Sequence, residues 1–576
     1  MTSTIQPLPT EVVNLIAAGE VIDSMAAVVR ELAENALDAG AKRIAIYLWP
    51  ENWRIQVADN GCGMNLEDLQ QAAKAHSTSK IRNREDLWKI SSLGYRGEAL
   101  HSMAALATLE IISRPTFPQD AEGWRVTYNN QGEVLQTLPM GVAPGTIVTV
   151  SNLFDNWQAR RAGMPSYAQQ LKAVQLVIQH LALCHPYVTW QVEQNDRRWF
   201  AISPSQTPKQ VLTQLFREIH ASDLQYLKIE IPDVIIPESP NPGNPTIPKS
   251  RQSQIELVVG LPERCHRRRP DWVKVAVNGR IVRSPELEQV IFSAFARTLP
   301  RERSPVCFLH LKIPPAQIDW NRLPSKAEIY LHNLEYWQEK VKEAIASALN
   351  LNLNPETLSV AAQQRVSKLL KASEEKGAYG ITPASATTEG KEERIQGLHL
   401  KAIAQVHNTY IVAEHPGGLW LIEQHIAHER VLYEQLCARW QLVPLQTPII
   451  LSNLTPAQIE QLQRIGIEID PFGELLWAAR SAPALLAKRS DCAAALIELS
   501  CGGDLQAAQV ATACRCAIRN GTPLSLAEMQ TLLEQWQRTK HPRTCPHGRP
   551  IYLSLEESDL SRYFRRHWVI GKSHGI

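Results

Sequence analysis

The sequence predicts an α+β protein made of several separately folded parts, and three observations carry that reading. A chain of 576 residues is too long for a single hydrophobic core and divides into roughly three or four domains. Helical and strand periodicities alternate along it, neither one dominating. Two stretches without apolar period separate the ordered parts. One is the Pro-rich IPESPNPGNPTIPKSRQ from Ile236 to Gln252; the other runs from Ser367 to Gln396 and is rich in Lys, Glu, Ala, Thr and Gly.

The first strong element is VVRELAENALDAGA, Val28 to Ala41. Val28, Val29, Leu32, Ala33, Ala36 and Leu37 recur at helical spacing and mark a buried stripe, while Ala39 and Gly40 supply a stop. KRIAIYLWP (Lys42 to Pro50) and WRIQVADNGCGM (Trp53 to Met64) then alternate apolar and polar residues, as two strands around a turn would. HSTSK (His76 to Lys80) and LGYRGEAL (Leu93 to Leu100) place small residues and glycines ahead of a helix that begins near Glu98. From Val273, VKVAVNGRIVRSPELEQVIFSAFARTL followed by VCFLHLKI reads as strand, Asn-Gly turn, helix and strand, a second and smaller α/β unit with a crossover helix. Beyond the second break, TYIVAEHPGGLWLIEQ gives two strands joined by His-Pro-Gly-Gly, and HIAHERVLYEQLCARW gives a helix. No internal repeat is evident.

Bulk composition excludes several classes. Lys plus Arg is 60 and Asp plus Glu is 58, a net charge of +2, so any nucleic-acid surface must be local. The N-terminus MTSTIQPLPTEVV has no basic region followed by an apolar one, and no run of about 18 apolar residues occurs, so the expectation is a cytosolic protein. Ten cysteines over this length do not make a disulfide framework; they are free thiols or metal ligands.

Chemistry concentrates in two places. On the first helix, Glu31, Asn35 and Asp38 fall at i, i+4 and i+7 and share one face, which is either a solvated face or a working one. Nearby, Asp59 ends a strand before Gly61 and Gly63, where a carboxylate can accept from an exocyclic amine such as adenine N6 and bare backbone can approach a ligand; an ordinary Asn-Gly turn is the plain alternative. The helix starting near Glu98 offers N–H groups to phosphate oxygens. Gly571 to Ser573 reads GKS, but Arg566 stands where a P-loop needs glycine.

Toward the C-terminus, His425 and Glu429 stand at i and i+4 on a helix, ACRCAIRNG supplies Cys514 and Cys516, and CPHGRP supplies Cys545 and His547. Such a set suits zinc or a related transition metal, with buried reduced cysteine as the plain alternative. Basic clusters at Arg264 to Arg269, at Arg160 and Arg161, and at Arg297 to Arg303 can bind backbone phosphate or serve solubility.

In this order, ELAENALDAGA, DNGCGM, TSK, LGYRGEAL and the Gly145–Thr146 pair resemble the ATPase module shared by gyrase, Hsp90, histidine kinases and MutL, the GHKL class. IAAGEVI (Ile16 to Ile22) and LGYRGEALHSMAAL narrow the resemblance to the MutL family of DNA mismatch repair proteins. It covers most of the first 330 residues and resumes after the linker. The resemblance implies a GHKL-type α/β sandwich ATPase over residues 1–215 and a ribosomal-S5-like α/β domain over 216–335. A helix and flexible linker over 336–396 and an α/β dimerisation and endonuclease domain over 397–576 follow.

For the ATP site it implies ATP with Mg²⁺, Glu31 as the base that activates water, Asn35 as a holder of Mg²⁺, and Asp59 as the adenine reader. Gly61, Gly63, Thr78, Lys80, Gly94, Arg96, Gly97 and Thr146 would line the nucleotide, and Lys326 would reach its γ-phosphate. For the C-terminal part it implies Zn²⁺ or Mn²⁺ on His425, Glu429, Cys514, Cys545 and His547, with Glu423 catalytic. FRRHW (Phe564 to Trp568) also fits the endonuclease type.

Three departures stand out: Glu423 replaces the family's aspartate, Arg322-Leu323-Pro324 replaces Val-His-Pro before Lys326, and Trp157-Gln158 replaces Thr-Pro in the Asn-Thr-Pro-Ala-Arg-Arg form. The implied partners are a second copy of the chain, DNA bound without regard to sequence, a MutS-type mismatch-recognition protein, and a sliding clamp or helicase, in the cytoplasm at the nucleoid and away from membranes. The rival readings are a topoisomerase or chaperone subunit of the same ATPase class, and a matchmaker that does not nick and whose C-terminal metal is structural. No acidic Asp-x-Asp motif follows the second unit, against the topoisomerase, and no long acidic linker occurs, against the chaperone.

Overall fold

The structure, a computed structural model, describes residues 8–83, 86, 92–94, 96–118, 120–216, 218–231, 253–319, 329–350, 400–415, 417–557 and 560. The loop 236–252, the linker 367–396, Lys326 with Arg322 to Pro324, and the FRRHW and GKS stretches lie outside the described residues. The chain forms two compact units, Met1–Ala294 with Ser304–Ala348, and Phe295–Arg303 with Leu349–Ile576. The expected first and second domains lie together in the first unit, with one large sheet each.

In that unit, α1 (Thr10–Val21) and α2 (Met25–Asp38) lead into β1 (Arg43–Trp49) and β2 (Arg54–Asp59). Ser24 begins α2 because its hydroxyl accepts the Ala27 N–H at 3.1 Å. The predicted stop is present, with Ala39 as C-cap and Gly40 at φ 77°. After α3 (Leu66–Gln71) and α4 (Ala99–Leu106) come β3 (Thr108–Arg114), β4 (Trp124–Tyr128), β5 (Val134–Pro139) and β6 (Gly145–Ser151). The short α5 (Gln158–Ala162), α6 (Tyr167–Cys184), β7 (Thr189–Gln194), β8 (Arg197–Ile202) and α7 (Pro208–Leu215) complete this part. The eight strands pair in the order β5-β4-β3-β6-β2-β1-β7-β8, antiparallel except for the parallel pair β1 and β7. The apolar stripe of α2 packs with α6 onto the sheet, and Val28, Val29, Ala33, Ile44, Ile46, Ile55, Val150 and Trp190 are all fully buried. Each buried Val or Ile among these contributes about 1.5–3 kcal/mol of burial.

A second sheet follows from β9 (Leu224–Ile231), β10 (Ser253–Gly260), β11 (His266–Arg267), β12 (Val273–Val277), β13 (Arg280–Val282), α8 (Pro285–Ala294), β14 (Ser304–Pro305) and β15 (Cys307–Lys312). Its five strands run β13-β12-β15-β10-β9, and β12 and β15 are parallel with α8 between them, the crossover that the sequence predicts. β11 pairs with β14, β16 (Ile318–Asp319) pairs with β17 (Tyr330–Leu331), and α9 (Leu334–Leu349) follows.

The other unit holds β18 (Lys401–Val406), β19 (Tyr410–His415), β20 (Gly418–Glu423) and β24 (Tyr552–Glu556) in one antiparallel sheet. The predicted hairpin is β19–β20, and the predicted helix is Gln424–Ala438. A second sheet orders β21 (Leu442–Ser452), β23 (Leu476–Pro483) and β22 (Ile469–Gly473). Two main cores, one around Trp420, Trp536 and Ile422 and one around Leu462, Leu486 and Leu496, sit under these sheets.

Candidate functional site: a nucleotide pocket and a metal cluster

One face of α2 meets the ends of β2 and β6 and the loops around Gly63, Thr78 and Gly97 at a cavity of about 750 Å³. Glu31, Asn35, Asp59, Gly63, Thr78, Lys80, Gly94, Arg96, Gly97 and Thr146 all line it. Glu31 is 8% exposed and keeps company with the Arg30 guanidinium, Nε to Oε1 3.5 Å. One turn on, the Asn35 amide oxygen accepts from Lys80 Nζ at 3.2 Å.

Asp38, which completes the face noted in the sequence, is the hub of this wall. Its carboxylate accepts the backbone N–H groups of Leu93 and Gly94, each at 2.9 Å, and the Lys80 ammonium at 2.5 Å. Sequence reasoning gave Asp38 no binding role, although its i+7 position was the signal for one.

At the other end of the cavity, Asp59 accepts from the Gly61 N–H at 2.8 Å. Burial pushes its carboxyl above the ordinary value, against the hydrogen bonds from the Gly61 and Thr146 backbone. Thr146 shares a 2.9 Å hydroxyl contact with Ser113, and the Ser113 hydroxyl donates to the Gly145 carbonyl at 2.9 Å and accepts from the Met64 N–H at 2.9 Å. Ser113 was invisible to motif reading because it enters from a different strand.

Two glycines are required here. Gly63 (φ 68°) and Gly97 (φ 66°) both lie in left-handed backbone, and a Cβ would fall 2.0 Å from the Arg114 carbonyl oxygen or 2.6 Å from that of Ser77. Gly61 is different from its expected role. It is not among the residues lining the cavity, and its missing side chain instead lets the turn pack on Ala39, 2.8 Å from where a Cβ would sit. Glu98 is the N-cap of α4, no side chain caps that helix, and Glu98, Ala99 and Leu100 at its start line the cavity.

The donor set suits a nucleotide: a carboxylate at one end matches an exocyclic amine, and bare N–H groups with a lysine at the other match phosphates. Asn35 and Glu31 present a neutral oxygen and a carboxylate side by side, as a hydrated divalent cation and a polarised water require.

In the other unit, ligand atoms of Glu429, Cys545 and His547 lie within 4.8 Å of one another. Glu429 and Cys545 are fully buried. Glu429 Oε1 and His547 Nδ1 face each other at 2.9 Å, yet neither buried atom has a hydrogen-bonding geometry. Orphaned donor atoms converging in a buried place fit a transition-metal ion. Burial raises the Glu429 carboxyl, but contact with His547 and the Arg549 guanidinium outweighs it and holds the group below its ordinary value. His547 is raised to about 9 by Cys545 and Glu429. Burial lifts the Cys545 thiol, and His547 and the Arg549 backbone more than reverse that.

His425 and Cys514 stand beside Glu429 but outside the 4.8 Å cluster among the described residues. The His425 Nδ1 is taken by the Ile518 carbonyl at 2.9 Å. Cys516 faces the Leu485 carbonyl. Glu423 is the N-cap of the helix Gln424–Ala438, and its carboxylate accepts from the His425 and Ile426 N–H groups at 3.3 and 2.8 Å. Sequence reasoning missed Arg549, whose Nη2 is 3.5 Å from Glu429 Oε2, although CPHGRP displayed it.

Of the basic clusters, Arg160 and Arg161 are internal struts. Arg160 donates to the Gly19 carbonyl at 2.8 Å and stacks over Trp157, and Arg161 pairs with Asp155 at 3.0 Å. Arg264, Arg268 and Arg269 are exposed. Among the described residues, no single helix is long and apolar enough to cross a membrane.

Comparison of the sequence with known families and relatives converges with this geometry. Residues 23–143 match the family described as histidine kinase-, DNA gyrase B- and HSP90-like ATPase. Residues 245–350 match the C-terminal domain family of DNA mismatch repair proteins, and residues 403–524 match the MutL C-terminal dimerisation domain. The chain is 64% identical over 578 residues to the DNA mismatch repair protein MutL of Nostoc sp., covering 100% of both. It is 63% identical over 577 residues to that of Nostoc punctiforme, again covering 100% of both. A crystal structure of the N-terminal domain of a DNA repair protein matches 62% of this chain and 99% of its own at 23% identity, with a TM-score of 0.46.

Proposed function

The chain belongs to the MutL family of DNA mismatch repair proteins, and from that premise we propose how its residues divide the work. The family carries a GHKL ATPase domain and a dimerisation domain, so the protein is an ATPase that works as a homodimer. The convergence of Glu31, Asn35 and Asp59 on one cavity carries the assignment of roles.

Asp59 accepts the adenine amine, and the residues from Thr78 to Lys80 and Gly94 to Gly97 surround the phosphates. Glu31 orients the attacking water and takes its proton as the bond to the γ-phosphate breaks. Asn35 would hold Mg²⁺, and that ion would supply charge neutralisation at the phosphates. Lys326, which lies outside the described residues, serves the γ-phosphate.

Exposed arginines at Arg264, Arg268 and Arg269 hold DNA through its phosphates, with affinity falling steeply in salt. ATP closes the dimer and links a MutS-type mismatch-recognition protein to strand nicking or excision, with a sliding clamp or helicase downstream, in the cytoplasm at the nucleoid.

In the C-terminal part, Glu429, Cys545 and His547, with His425 and Cys514 alongside, hold Zn²⁺ or Mn²⁺ and support weak nicking. A metal held by these residues would supply Lewis-acid activation of water for that cleavage. A second reading is favoured by one observation: both Glu423 oxygens already cap a helix, which suits a structural metal and a matchmaker that does not cut.

Incubation of closed circular DNA with the protein and Mn²⁺ decides between them. Weak nicking that rises in Glu423→Asp and disappears in His425→Ala and Glu429→Ala supports the endonuclease. A metal-loaded protein that never nicks, with Glu423→Asp equally inert, leaves the metal structural.

A further inference from the structure

The Asn-Gly turn between β12 and β13 is held from every side. Asn278 (φ 46°) and Gly279 (φ 89°) form the left-handed pair that a tight hairpin demands. The Gly279 N–H donates to His310 Nε2 at 3.0 Å, and the Gly279 carbonyl lies 3.0 Å from His185 Nε2. The Asn278 amide exchanges two hydrogen bonds with the Ile313 backbone, at 2.8 and 2.9 Å. Burial keeps both imidazoles below their ordinary pKa, so both are neutral near pH 7, one accepting and the other donating. The next residue, Arg280, is thereby fixed in place.

Arg280 is 7% exposed and points away from its own sheet toward α2. Its Nη2 donates to the carboxylate of Glu34 on α2 and to the Leu93 carbonyl at 2.8 Å. Glu34 is 1% exposed, so this is a buried ion pair joining the five-stranded sheet to the helix that bears Glu31 and Asn35. The Leu93–Gly94 segment is consequently held twice. Asp38 takes its two N–H groups and Arg280 takes its carbonyl.

We propose that Arg280 is a positioning residue of the ATP site: it fixes the Leu93–Gly94 backbone against the phosphates, sets α2 through Glu34, and so ties ATP turnover to the placement of the five-stranded sheet. This rests on ATP hydrolysis at the cavity described above. Arg280 touches no reacting atom; its effect passes through Leu93 and Glu34. Removing it costs turnover more than nucleotide binding, because the adenine end, held by Asp59, is left as it was.

The test compares wild type, Arg280→Met, Arg280→Lys, Glu34→Gln and the double variant Arg280→Met/Glu34→Gln in the full chain. Steady-state ATP turnover, ADP affinity and hydrogen exchange at the Leu93 and Gly94 amides are measured. We expect kcat to fall about 10- to 100-fold in Arg280→Met, as displacement of a positioning element does, with ADP affinity within about threefold and faster exchange at both amides. Arg280→Lys recovers part of the loss, and the double variant is no worse than Arg280→Met, since the two side chains act as one unit. Unchanged turnover in folded Arg280→Met, or losses that simply multiply in the double variant, overturns the proposal. If Arg280→Met does not fold, Glu34→Gln decides: reduced turnover with faster exchange supports it, and wild-type values overturn it. A wild type that never hydrolyses ATP refutes the functional reading alone, and the exchange rates then judge Arg280 independently.

Discussion

Replacing Asp59 by Asn isolates the reading of the base. The amide oxygen can still accept the Gly61 N–H that Asp59 Oδ1 takes at 2.8 Å, so the turn keeps its shape. What is lost is a charged acceptor for an exocyclic amine, a bond of about 1.5–3 kcal/mol, which is roughly a 10- to 150-fold loss in ATP affinity. Alanine would be a poorer choice, because the Gly61 and Thr146 N–H groups would lose their acceptor and the fold would suffer with the binding. The sharper readout is discrimination. Guanine carries a carbonyl where adenine has its amine, so a carboxylate rejects GTP, whereas an amide whose oxygen stays on the Gly61 N–H presents its NH₂ and can donate to it. Competition binding should show strong preference for ATP in wild type and a preference reduced by at least about tenfold in Asp59→Asn. Because burial holds the Asp59 carboxyl above its ordinary value, ATP affinity should also begin to fail at a higher pH than an exposed aspartate would give. Asp59→Asn with unchanged ATP affinity and unchanged preference over GTP would refute the placement of adenine at this end of the cavity.

Three further outcomes are expected. His185 titrates at about 4 when folded against 6.5 in the unfolded chain, so the unfolded state binds more protons between these values; stability therefore falls as pH drops from about 7 to 4, by on the order of 3 kcal/mol, and levels off below. His310, Asp38 and Lys312 face the same imidazole, and His185→Gln, which still donates to Gly279, should flatten that slope in urea melts taken across the range. Purified protein should carry close to one transition-metal ion per chain by elemental analysis, and Cys545→Ala or Glu429→Ala should lose most of it; full occupancy in both variants would show that the cluster is not the metal site. Residues 397–576 should sediment as a dimer at micromolar concentration, while residues 1–335 should dimerise only with a non-hydrolysable ATP analogue; a monomeric C-terminal fragment would contradict the dimer architecture.

What the sequence disclosed and what it hid follow from range. The α2 helix, the β19–β20 hairpin and the α8 crossover were legible because period, caps and turn residues act within about ten residues of chain. The cavity residues on α2 and after β2 were legible because motif spacing carries them. The supports Ser113 and Arg280 were not, since each meets the site's own residues from another strand: Arg280 meets Glu34 across 246 positions, and no local pattern announces such a contact. Asp38 was seen but given no binding role, because its partners, the Leu93–Gly94 backbone, come to it only in the folded chain. Arg160 and Arg161 read as either phosphate-binding or solubilising charge when only their charge was visible; the structure stacks them on Trp157 and Trp53. Glu423 drew attention as a departure from a catalytic aspartate, and the structure adds that it caps its own helix.

The most direct test of the account is Glu31→Ala with nucleotide binding and turnover measured on one preparation. Adenine and phosphate contacts do not involve this side chain, so ATP should bind within a few-fold of wild type, while turnover should fall about 10²- to 10⁴-fold for want of a base. Bound ATP with hydrolysis abolished is the expected result. Glu31→Ala that turns ATP over at the wild-type rate would remove Glu31 from the mechanism and contradict the account at its centre.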